Sequence, residues 1–542
     1  MADALPTTPP DAAAAPGRRT IHSAPAPRTF RNPILPGFYP DPSICRVGDD
    51  YYLVSSTFEW FPGLPVHHSR DLVNWRLLGH VLDRPEQLPL DGVQPSGGLY
   101  APTIRHADGV FYVVCTLMYG TGPSGNFVVT ATDPAGPWSE PHWLGEPDSF
   151  DPSLLFDEDG RVWFHATRPV DEDGHTEVWL REFDPATLSL TGPEHVLWHG
   201  ALDGAVWAEG PHLYRVGDSY HLMVAEGGTE LDHAVTVARS RQITGPYEGN
   251  PRNPILTHRN LGTAHPIVAT GHADLVETAA GEWWAVMLAI RPSGGYLGNL
   301  GRETFLAPVT WEEGWPVIAP GAGRVEATGP RPDLPECRWP AEPACDNFED
   351  PELGPEWIQL RTPRERFWNL TERPGHLRLR LRPETVTEHV CPSLIARRQR
   401  HAHFAAQTAL DFVPAGPNEC AGLVLLQNDD FQIRCVVTLG DGGRVLRLVR
   451  RAAGADETLA EEPLPEGRVR LAVEAHDQAY AFRYAMPGSP WRPLGGPVDG
   501  SVLSTEVAGG FIGACLGMYA SSTGADSANV ADFDWFEYRG LE

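Results

Sequence analysis

The chain contains 542 residues, with 42 Lys and Arg against 71 Asp and Glu, and carries a formal net charge of −29. This length exceeds one ordinary hydrophobic core and predicts at least two domains. The negative field disfavours phosphate backbones and anionic lipid surfaces, and no apolar run is long enough to cross a bilayer. We therefore expect neither nucleic acid nor membrane as a partner. A neutral substrate fits better, and a homo-oligomer remains open.

Residues 1–28 are rich in Pro and Ala and lack the apolar segment of a secretion signal. We expect a disordered tail there.

The eight Cys form no CxxC pair and no dense disulfide framework, and Cys115, Cys435 and Cys515 lie inside strand-like runs. Buried free thiols are the usual interpretation of that pattern, and the cytoplasm is the expected location.

Residues 29–325 are dominated by short alternating runs of Val, Tyr, Trp and Phe, bounded by Gly, Pro and Asp, which predict β-strands. Five similar segments recur in this region at intervals of about 50 to 60 residues. They begin at Asp41, Ala101, Asp151, Gly210 and His272. Each turns at polar residues and ends in an aromatic-rich strand. Recurrent units of this size predict antiparallel blades around one axis, which is a β-propeller.

Three carboxyl groups lie at or beside one position of this repeat. Asp41 and Asp151 open their segments, and Glu209 immediately precedes the fourth. Since equivalent positions of different blades surround one axis, we expect these three side chains in a single pocket. Each Asp taken singly could cap a turn before its Pro. The coincidence of all three favours a catalytic site.

The pattern changes after the propeller region. Residues 326–345 are rich in Pro and predict a linker. Residues 346–542 return to period-two strands with one charged face, such as HLRLRLRP from His376, and predict a jelly-roll-like β-sandwich. The predicted fold is therefore all-β, with two domains. No acid cluster stands out in the second domain, which leaves a stabilising partner and a sugar-binding module open.

Five motifs in this region occur in a fixed order: YPDPS with Asp41, SFDPS with Asp151, WAEGPHLY with Glu209, GHADLVET with His272 and LGRETF with Arg302. Together they resemble the motifs of glycoside hydrolase family 43. The closer likeness is to the two-domain β-xylosidases of that family, some of which also release arabinofuranose. The resemblance implies a five-bladed propeller, inversion of configuration at the anomeric carbon and no required cofactor.

The resemblance also implies roles for particular residues. Asp41 corresponds to the general base, Glu209 to the general acid, and Asp151 to a third carboxylate that holds the acid and raises its pKa. The implied substrate contacts are Phe58, Tyr100, His272, Arg302 and Phe511. The family often has Trp at the position of Tyr100, so fine substrate preference is not transferred. His272 could instead be a core histidine or an ion ligand, and a structural calcium ion in the propeller channel stays open.

Glycosidic cleavage needs one carboxyl group that is protonated and another that is ionised. Together with this requirement, the resemblance implies an inverting exo-glycosidase that releases terminal β-1,4-linked xylose from xylo-oligosaccharides, with α-L-arabinofuranosidase side activity open. One alternative is a predominant α-L-arabinofuranosidase acting on arabinoxylan or arabinan fragments. An alternative of another class is a non-catalytic carbohydrate-binding propeller. We expect Asp41 and Glu209 roughly 6.5–9.5 Å apart, the spacing that leaves room for water.

Overall fold

The computed structural model describes residues 28–145 and 148–541. The predicted disordered tail, residues 1–28, lies outside the described residues apart from Arg28. Strands dominate the described part of the chain, where the helical residues are confined to α1 (Thr505–Ala508) and a 3-10 turn (Gly500–Leu503). The predicted all-β class is confirmed. No helix among the described residues has the length and apolarity needed to cross a membrane.

The first part of the chain forms five antiparallel sheets, one after another. The chain enters through β1 (Thr29–Arg31). The first sheet contains β2 (Ser43–Val47), β3 (Asp50–Val54), β5 (Gly63–Ser69) and β6 (Arg76–Leu82), while β4 (Trp60–Phe61) pairs elsewhere. The second contains β7 (Gly98–Leu99), β8 (Thr103–Ala107), β9 (Val110–Met118), β10 (Gly125–Ala131) and β11 (His142–Trp143). The third contains β12 (Phe150–Phe156), β13 (Val162–Pro169), β14 (Thr176–Asp184) and β15 (Ser189–Trp198).

Two further sheets complete a ring. The fourth contains β16 (Glu209–Val216), β17 (Ser219–Glu226), β18 (Ala234–Ser240), β19 (Glu248–Gly249) and β20 (Leu256–Thr257). The fifth contains β21 (Val268–Glu277), β22 (Trp283–Ile290), β23 (Glu303–Glu312) and β24 (Trp315–Ile318). The inner strands β2, β8, β12, β16 and β21 contact one another in this order, and β21 contacts β2. The five sheets are therefore the blades of a closed propeller.

Within residues 28–145 and 148–541, no strand of the first blade pairs with a strand of the fifth. Their seam is filled by apolar side chains, among them Ile44 and Leu53 from the first blade and Val276, Trp284 and Leu306 from the fifth. Outside the blades, β1 pairs with β25 (Thr328–Pro330). Three residues of the predicted linker, residues 326–345, thus form a strand beside the propeller.

The C-terminal part of the chain forms two larger antiparallel sheets. The nine-stranded sheet contains β26 (Cys345–Asp346), β28 (Trp368–Asn369), β29 (Leu377–Arg380), β31 (His403–Asp411), β36 (Val469–His476), β37 (Ala479–Ala485), β38 (Arg492–Pro493), β39 (Val498–Asp499) and β41 (Val530–Gly540). The six-stranded sheet contains β30 (Ser393–Arg398), β32 (Cys420–Asn428), β33 (Phe431–Gly440), β34 (Gly443–Ala452), β35 (Ala455–Pro463) and β40 (Cys515–Ser521). Side chains from both sheets, such as Phe404, Leu471 and Leu448, share one core. This is the predicted β-sandwich.

The two domains are joined by strand pairing as well as by side chains. Strand β27 (Gln359–Leu360) pairs with β4 of the propeller region. Around this pair, Phe58 and Trp60 pack in one cluster with Ile358, Leu394 and Tyr519. The sandwich is thereby fixed against the side of the propeller that carries Phe58.

Candidate active site

In four of the five blades, the first residue of the sequence repeat has a positive φ angle. Asp41, Asp151, Gly210 and His272 have φ values of 52°, 52°, 58° and 46°. The strand register shifts beside Asp151, Gly210 and His272. An irregularity of this kind re-aims a side chain that regular pleating would direct elsewhere. The left-handed conformation costs about 1–3 kcal/mol at a non-Gly residue and persists at sites where the surrounding structure enforces it.

All eight site residues predicted from the sequence line one pocket. They are Asp41, Phe58, Tyr100, Asp151, Glu209, His272, Arg302 and Phe511. The sequence had not singled out Ala101, Phe150, Thr229 and His233, which also line it. Of these, Ala101 opens the second repeat and Phe150 immediately precedes Asp151, so their positions in the repeat were the available signal.

The Asp41 carboxylate is contacted by side chains from the first and fifth blades. Its exposed fraction is 4 %. The Ser56 hydroxyl donates to Oδ2 at 2.6 Å, and Arg302 donates from Nη1 to Oδ1 at 2.8 Å and from Nη2 to Oδ2 at 3.4 Å. His272 Nδ1 lies 3.6 Å from Oδ1. The forked contact with a guanidinium suits an ionised carboxylate.

Glu209 lies at the start of β16, in a different electrostatic environment. Burial raises the pKa of its carboxyl group well above the usual value, and the charges of Asp151 and Asp41 raise it further against the opposing effect of Arg302. Burial also raises the pKa of Asp151 to about 6, with Asp41 adding to the rise and His272 opposing it. A carboxyl group with a raised pKa therefore faces the pocket that also holds the Arg302-paired carboxylate.

Asp151 contacts the main chain next to Glu209. The N–H of Gly210 donates to Asp151 Oδ2 at 3.1 Å. Gly210 is in the left-handed conformation, and a Cβ there would meet His272 Nε2 at 2.6 Å. Glycine is required because His272 occupies that space. Asp151 thus fixes the backbone from which the Glu209 side chain projects.

Aromatic rings form one wall of the pocket. The ring of Phe58 lies 5.3 Å from Tyr100 and 5.7 Å from Phe511, measured between centroids. Tyr100 and Phe511 are 6.2 Å apart in an edge-to-face arrangement. Phe511 comes from the sandwich domain, in the turn between α1 and β40, so this domain supplies part of the wall.

Below the pocket, a polar network joins all five blades. Asp274 accepts hydrogen bonds from Ser43 (2.8 Å), Tyr214 (2.7 Å) and Arg105 (2.9 and 3.2 Å). His212 Nδ1 lies 3.1 Å from Arg105 Nη2 and 3.1 Å from the Ser153 hydroxyl. Burial alone would raise the pKa of Asp274, but Arg105, His212 and Tyr214 outweigh it and hold that pKa below its ordinary value.

Sequence reasoning missed this network, although a signal was present. Ser43, Ser153, His212 and Asp274 each lie two residues beyond the opening of their repeat, on the strand face that points the same way. Arg105 lies four residues beyond Ala101. The position two residues after each repeat opening therefore indicates most members of the polar network that joins the five blades.

These residues do not fit a calcium ion at this depth of the channel. The Arg105 guanidinium already neutralises Asp274, whose two oxygens are occupied, and calcium prefers six to eight oxygen ligands. Across residues 28–145 and 148–541, no group of three or more His, Cys, Asp and Glu side chains is arranged to hold a metal ion.

The pocket opens into a wider vestibule. With open solvent included, the empty volume is about 410 Å³ in the inner pocket and about 2100 Å³ in the vestibule. Tyr100, Glu209 and Phe511 border both. The vestibule is also lined by Trp207 and Tyr119, which are 38 % and 57 % exposed. A ligand with a small terminal unit inside and a larger remainder outside would place its connecting bond beside Glu209.

The chain belongs to glycosyl hydrolases family 43, whose model matches residues 30–316. A second model, the beta xylosidase C-terminal Concanavalin A-like domain, matches residues 345–539. A xylosidase/arabinosidase of Butyrivibrio fibrisolvens is 44 % identical over 514 residues, which are 93 % of this chain and 98 % of that protein.

Two further relatives span nearly the whole chain. A non-reducing end alpha-L-arabinofuranosidase of Bacteroides ovatus is 44 % identical, covering 95 % of this chain and 96 % of its own length. The crystal structure of a xylan beta-1,4-xylosidase from Bacillus halodurans superposes with a TM-score of 0.88 at 38 % identity, covering 94 % of this chain and all of that one. The protein is therefore a glycoside hydrolase of the two-domain type.

Proposed function

We propose that this protein is an inverting exo-glycosidase that releases terminal β-1,4-linked xylose from xylo-oligosaccharides. The observation that carries the proposal is the difference between two carboxyl groups of one pocket. Asp41 is paired with Arg302, whereas burial and like charges raise the pKa of Glu209. Inverting hydrolysis requires such a pair, one member to deprotonate water and the other to protonate the leaving oxygen.

In the proposed reaction, Asp41 accepts a proton from a water molecule while the water oxygen attacks the anomeric carbon. The bond from that carbon to the glycosidic oxygen breaks, and Glu209 donates its proton to this oxygen. Asp151 is a positioning residue, since it holds the Gly210 main chain beside the acid. The Arg302 side chain aligns the base. General acid and base assistance each contribute about 10²–10⁴-fold to such a reaction.

The exo mode is supported by the shape of the site. Phe511 covers one side of the small inner pocket, and the vestibule begins at Glu209. In the proposed complex, one terminal sugar lies in the inner pocket and the leaving group extends into the vestibule. A chain that continued in both directions would meet the Phe511 wall.

A predominant α-L-arabinofuranosidase is the second candidate. It is favoured by the similarity to the Bacteroides ovatus protein of that name. Xylopyranose and arabinofuranose present similar hydroxyl groups near the anomeric carbon, so one pocket can accept both.

The test is kinetics on p-nitrophenyl β-D-xyloside and p-nitrophenyl α-L-arabinofuranoside, together with NMR of the first anomer released from xylobiose. We expect a higher kcat/KM for the xyloside and initial formation of α-xylose. A higher kcat/KM for the arabinofuranoside would select the second candidate. Initial β-xylose would contradict inversion, and absence of turnover on both substrates would favour a binding protein.

Asp151→Asn is expected to move the basic limb of the kcat/KM profile to lower pH. Glu209 is active in its protonated form, and the charge of Asp151 is one of the causes that raise its pKa. Removing that charge lowers the pH at which the acid loses its proton, while the Asn side-chain oxygen can still accept from Gly210 N–H. The measurement is kcat/KM on xylobiose from pH 4 to pH 9. A basic limb unchanged in the variant would contradict the tuning role.

We further propose that turnover does not depend on calcium. Arg105 supplies the positive charge beside Asp274 that an axial cation would otherwise provide. Dialysis against EDTA is expected to leave kcat on xylobiose unchanged, and added calcium should not raise it. A loss of activity that calcium restores would contradict this proposal.

A further inference from the structure

The loop that carries Phe511 contacts the propeller through its main chain as well as through its ring. The Phe511 N–H donates to the Ser96 hydroxyl at 2.9 Å. The Phe511 carbonyl accepts from Arg302 Nε at 3.4 Å and from Arg302 Nη2 at 3.3 Å. These contacts would exist whatever side chain stood at this position, so they define a role separate from the aromatic wall.

Arg302 is fixed by acceptors from three directions. Besides Asp41 and the Phe511 carbonyl, its Nη1 donates to the Thr229 hydroxyl at 2.9 Å. A guanidinium is planar and donates in fixed directions, so its acceptors set its orientation. Of these acceptors, the Phe511 carbonyl belongs to the sandwich domain. The orientation of the group that pairs with the base therefore depends partly on the second domain.

The main chain before Arg302 is also held by the sandwich. The Gly298 N–H donates to Glu506 at 2.6 Å, and the Ala514 N–H donates to the Asn299 carbonyl at 2.8 Å. The Asn299 side chain donates to the Gly500 carbonyl at 2.9 Å. The segment that leads into β23, and with it Arg302, is thus docked on the same part of the sandwich as Phe511.

Ser96 fixes the loop from the propeller side. Its own N–H donates to the buried Glu59 carboxyl at 3.1 Å, and its φ is 60°. Gly510 passes so close that a Cβ there would meet the Ser96 hydroxyl oxygen at 2.4 Å, and its φ is 81°. The propeller therefore fixes the position of the Ser96 hydroxyl, which accepts the hydrogen bond from the Phe511 N–H.

We propose that Ser96 and the Phe511 main chain are positioning groups for the catalytic base, and that the sandwich domain orients Arg302 toward Asp41 in addition to walling the pocket. This inference rests on the proposed function, in which Asp41 is the base. The order of contacts is Ser96 to Phe511, Phe511 to Arg302, and Arg302 to Asp41.

The first test is kinetics of Ser96→Ala, which removes the acceptor for Phe511 N–H and adds no atoms. Because one hydrogen bond is worth about 0.5–1.5 kcal/mol, we expect kcat to fall about 2- to 12-fold. We also expect KM to stay near the wild-type value, since the aromatic wall is unchanged. Phe511→Ala removes the ring but keeps the main chain, so it should raise KM more than it lowers kcat.

The matched control is Thr362→Val. The Thr362 hydroxyl donates to the Leu88 carbonyl, which also crosses between the domains but lies outside the pocket. This variant should lose thermal stability to a similar extent while kcat stays unchanged. If Ser96→Ala lowers stability alone, as the control does, Ser96 is only structural and the proposal is wrong.

Crystal structures of Ser96→Ala and the wild type decide the inference independently of turnover. We expect the Phe511 carbonyl to move away from Arg302 and the forked contact with Asp41 to open. An unchanged pair of Arg302 and Asp41 in the variant would overturn the positioning role. If the wild type hydrolyses no glycoside, the proposed function fails, and this comparison still tests whether the sandwich orients Arg302.

Discussion

Asp41→Asn is expected to lower kcat on xylobiose about 10²–10⁴-fold while binding of xylobiose survives. The amide has the size of the carboxyl group but cannot accept a proton from water. Arg302, Tyr100 and Phe58 remain to contact the sugar. The measurements are a coupled assay for released xylose and titration calorimetry of the variant with xylobiose.

Asp157→Asn is the matched control for this substitution. Asp157 is also buried, but its carboxyl group pairs with Arg215 and Tyr220 away from the pocket. The control should lose stability and keep kcat. A kcat of Asp41→Asn within tenfold of the wild-type value would remove Asp41 from the role of base, and a wild-type protein that binds xylobiose without turnover would place the chain among binding propellers.

Glu209→Gln is expected to lower kcat strongly, by about 10²–10⁴-fold, on xylobiose and much less on 2,4-dinitrophenyl β-D-xyloside. A sugar hydroxyl leaves poorly without a proton, whereas dinitrophenolate leaves as a stable anion. The variant should also lose the basic limb of its pH profile on xylobiose, since the group whose pKa is raised there is gone. The measurement is the ratio of kcat/KM for the two substrates in variant and wild type.

Glu226→Gln offers a control on the same blade. Glu226 is buried and accepts from the main-chain N–H groups of Ala201 and Leu202, with no part in lining the inner pocket. It should show no dependence on the leaving group. Equal losses of Glu209→Gln on both substrates would contradict the assignment of Glu209 as the acid.

The repeat pattern predicted the fold and much of the site because both follow from the same symmetry. Asp41, Asp151 and Gly210 hold equivalent positions at or just before the start of inner strands, so closing the ring brings the two Asp side chains and those of neighbouring residues together. The sequence does not show how each side chain turns inward. That depends on left-handed backbone at the openings and on register shifts in β12, β16 and β21, which are set by packing between blades.

Other parts of the site have no periodic signal at all. The contact of Ser96 with Phe511 joins residues 415 positions apart, in two different domains. Nothing in the local sequence of either residue indicates the other. The polar network below the pocket could be predicted in part. Ser43, Ser153, His212 and Asp274 share one position of the repeat, but Arg105 joins them from a position further along its strand.

The closure of the propeller has a consequence for how the enzyme loses activity. Among the described residues no strand is shared between the first and fifth blades, so their seam is held by apolar side chains such as Ile44 and Trp284 and by a few hydrogen bonds, such as Ser43 to Asp274. Asp41 and Arg302 lie on either side of it, and Glu209 lies on a third blade. Mild heat or denaturant that loosens this seam would separate the reacting groups while every sheet stays hydrogen-bonded. Inactivation should therefore precede the loss of the far-ultraviolet circular dichroism signal.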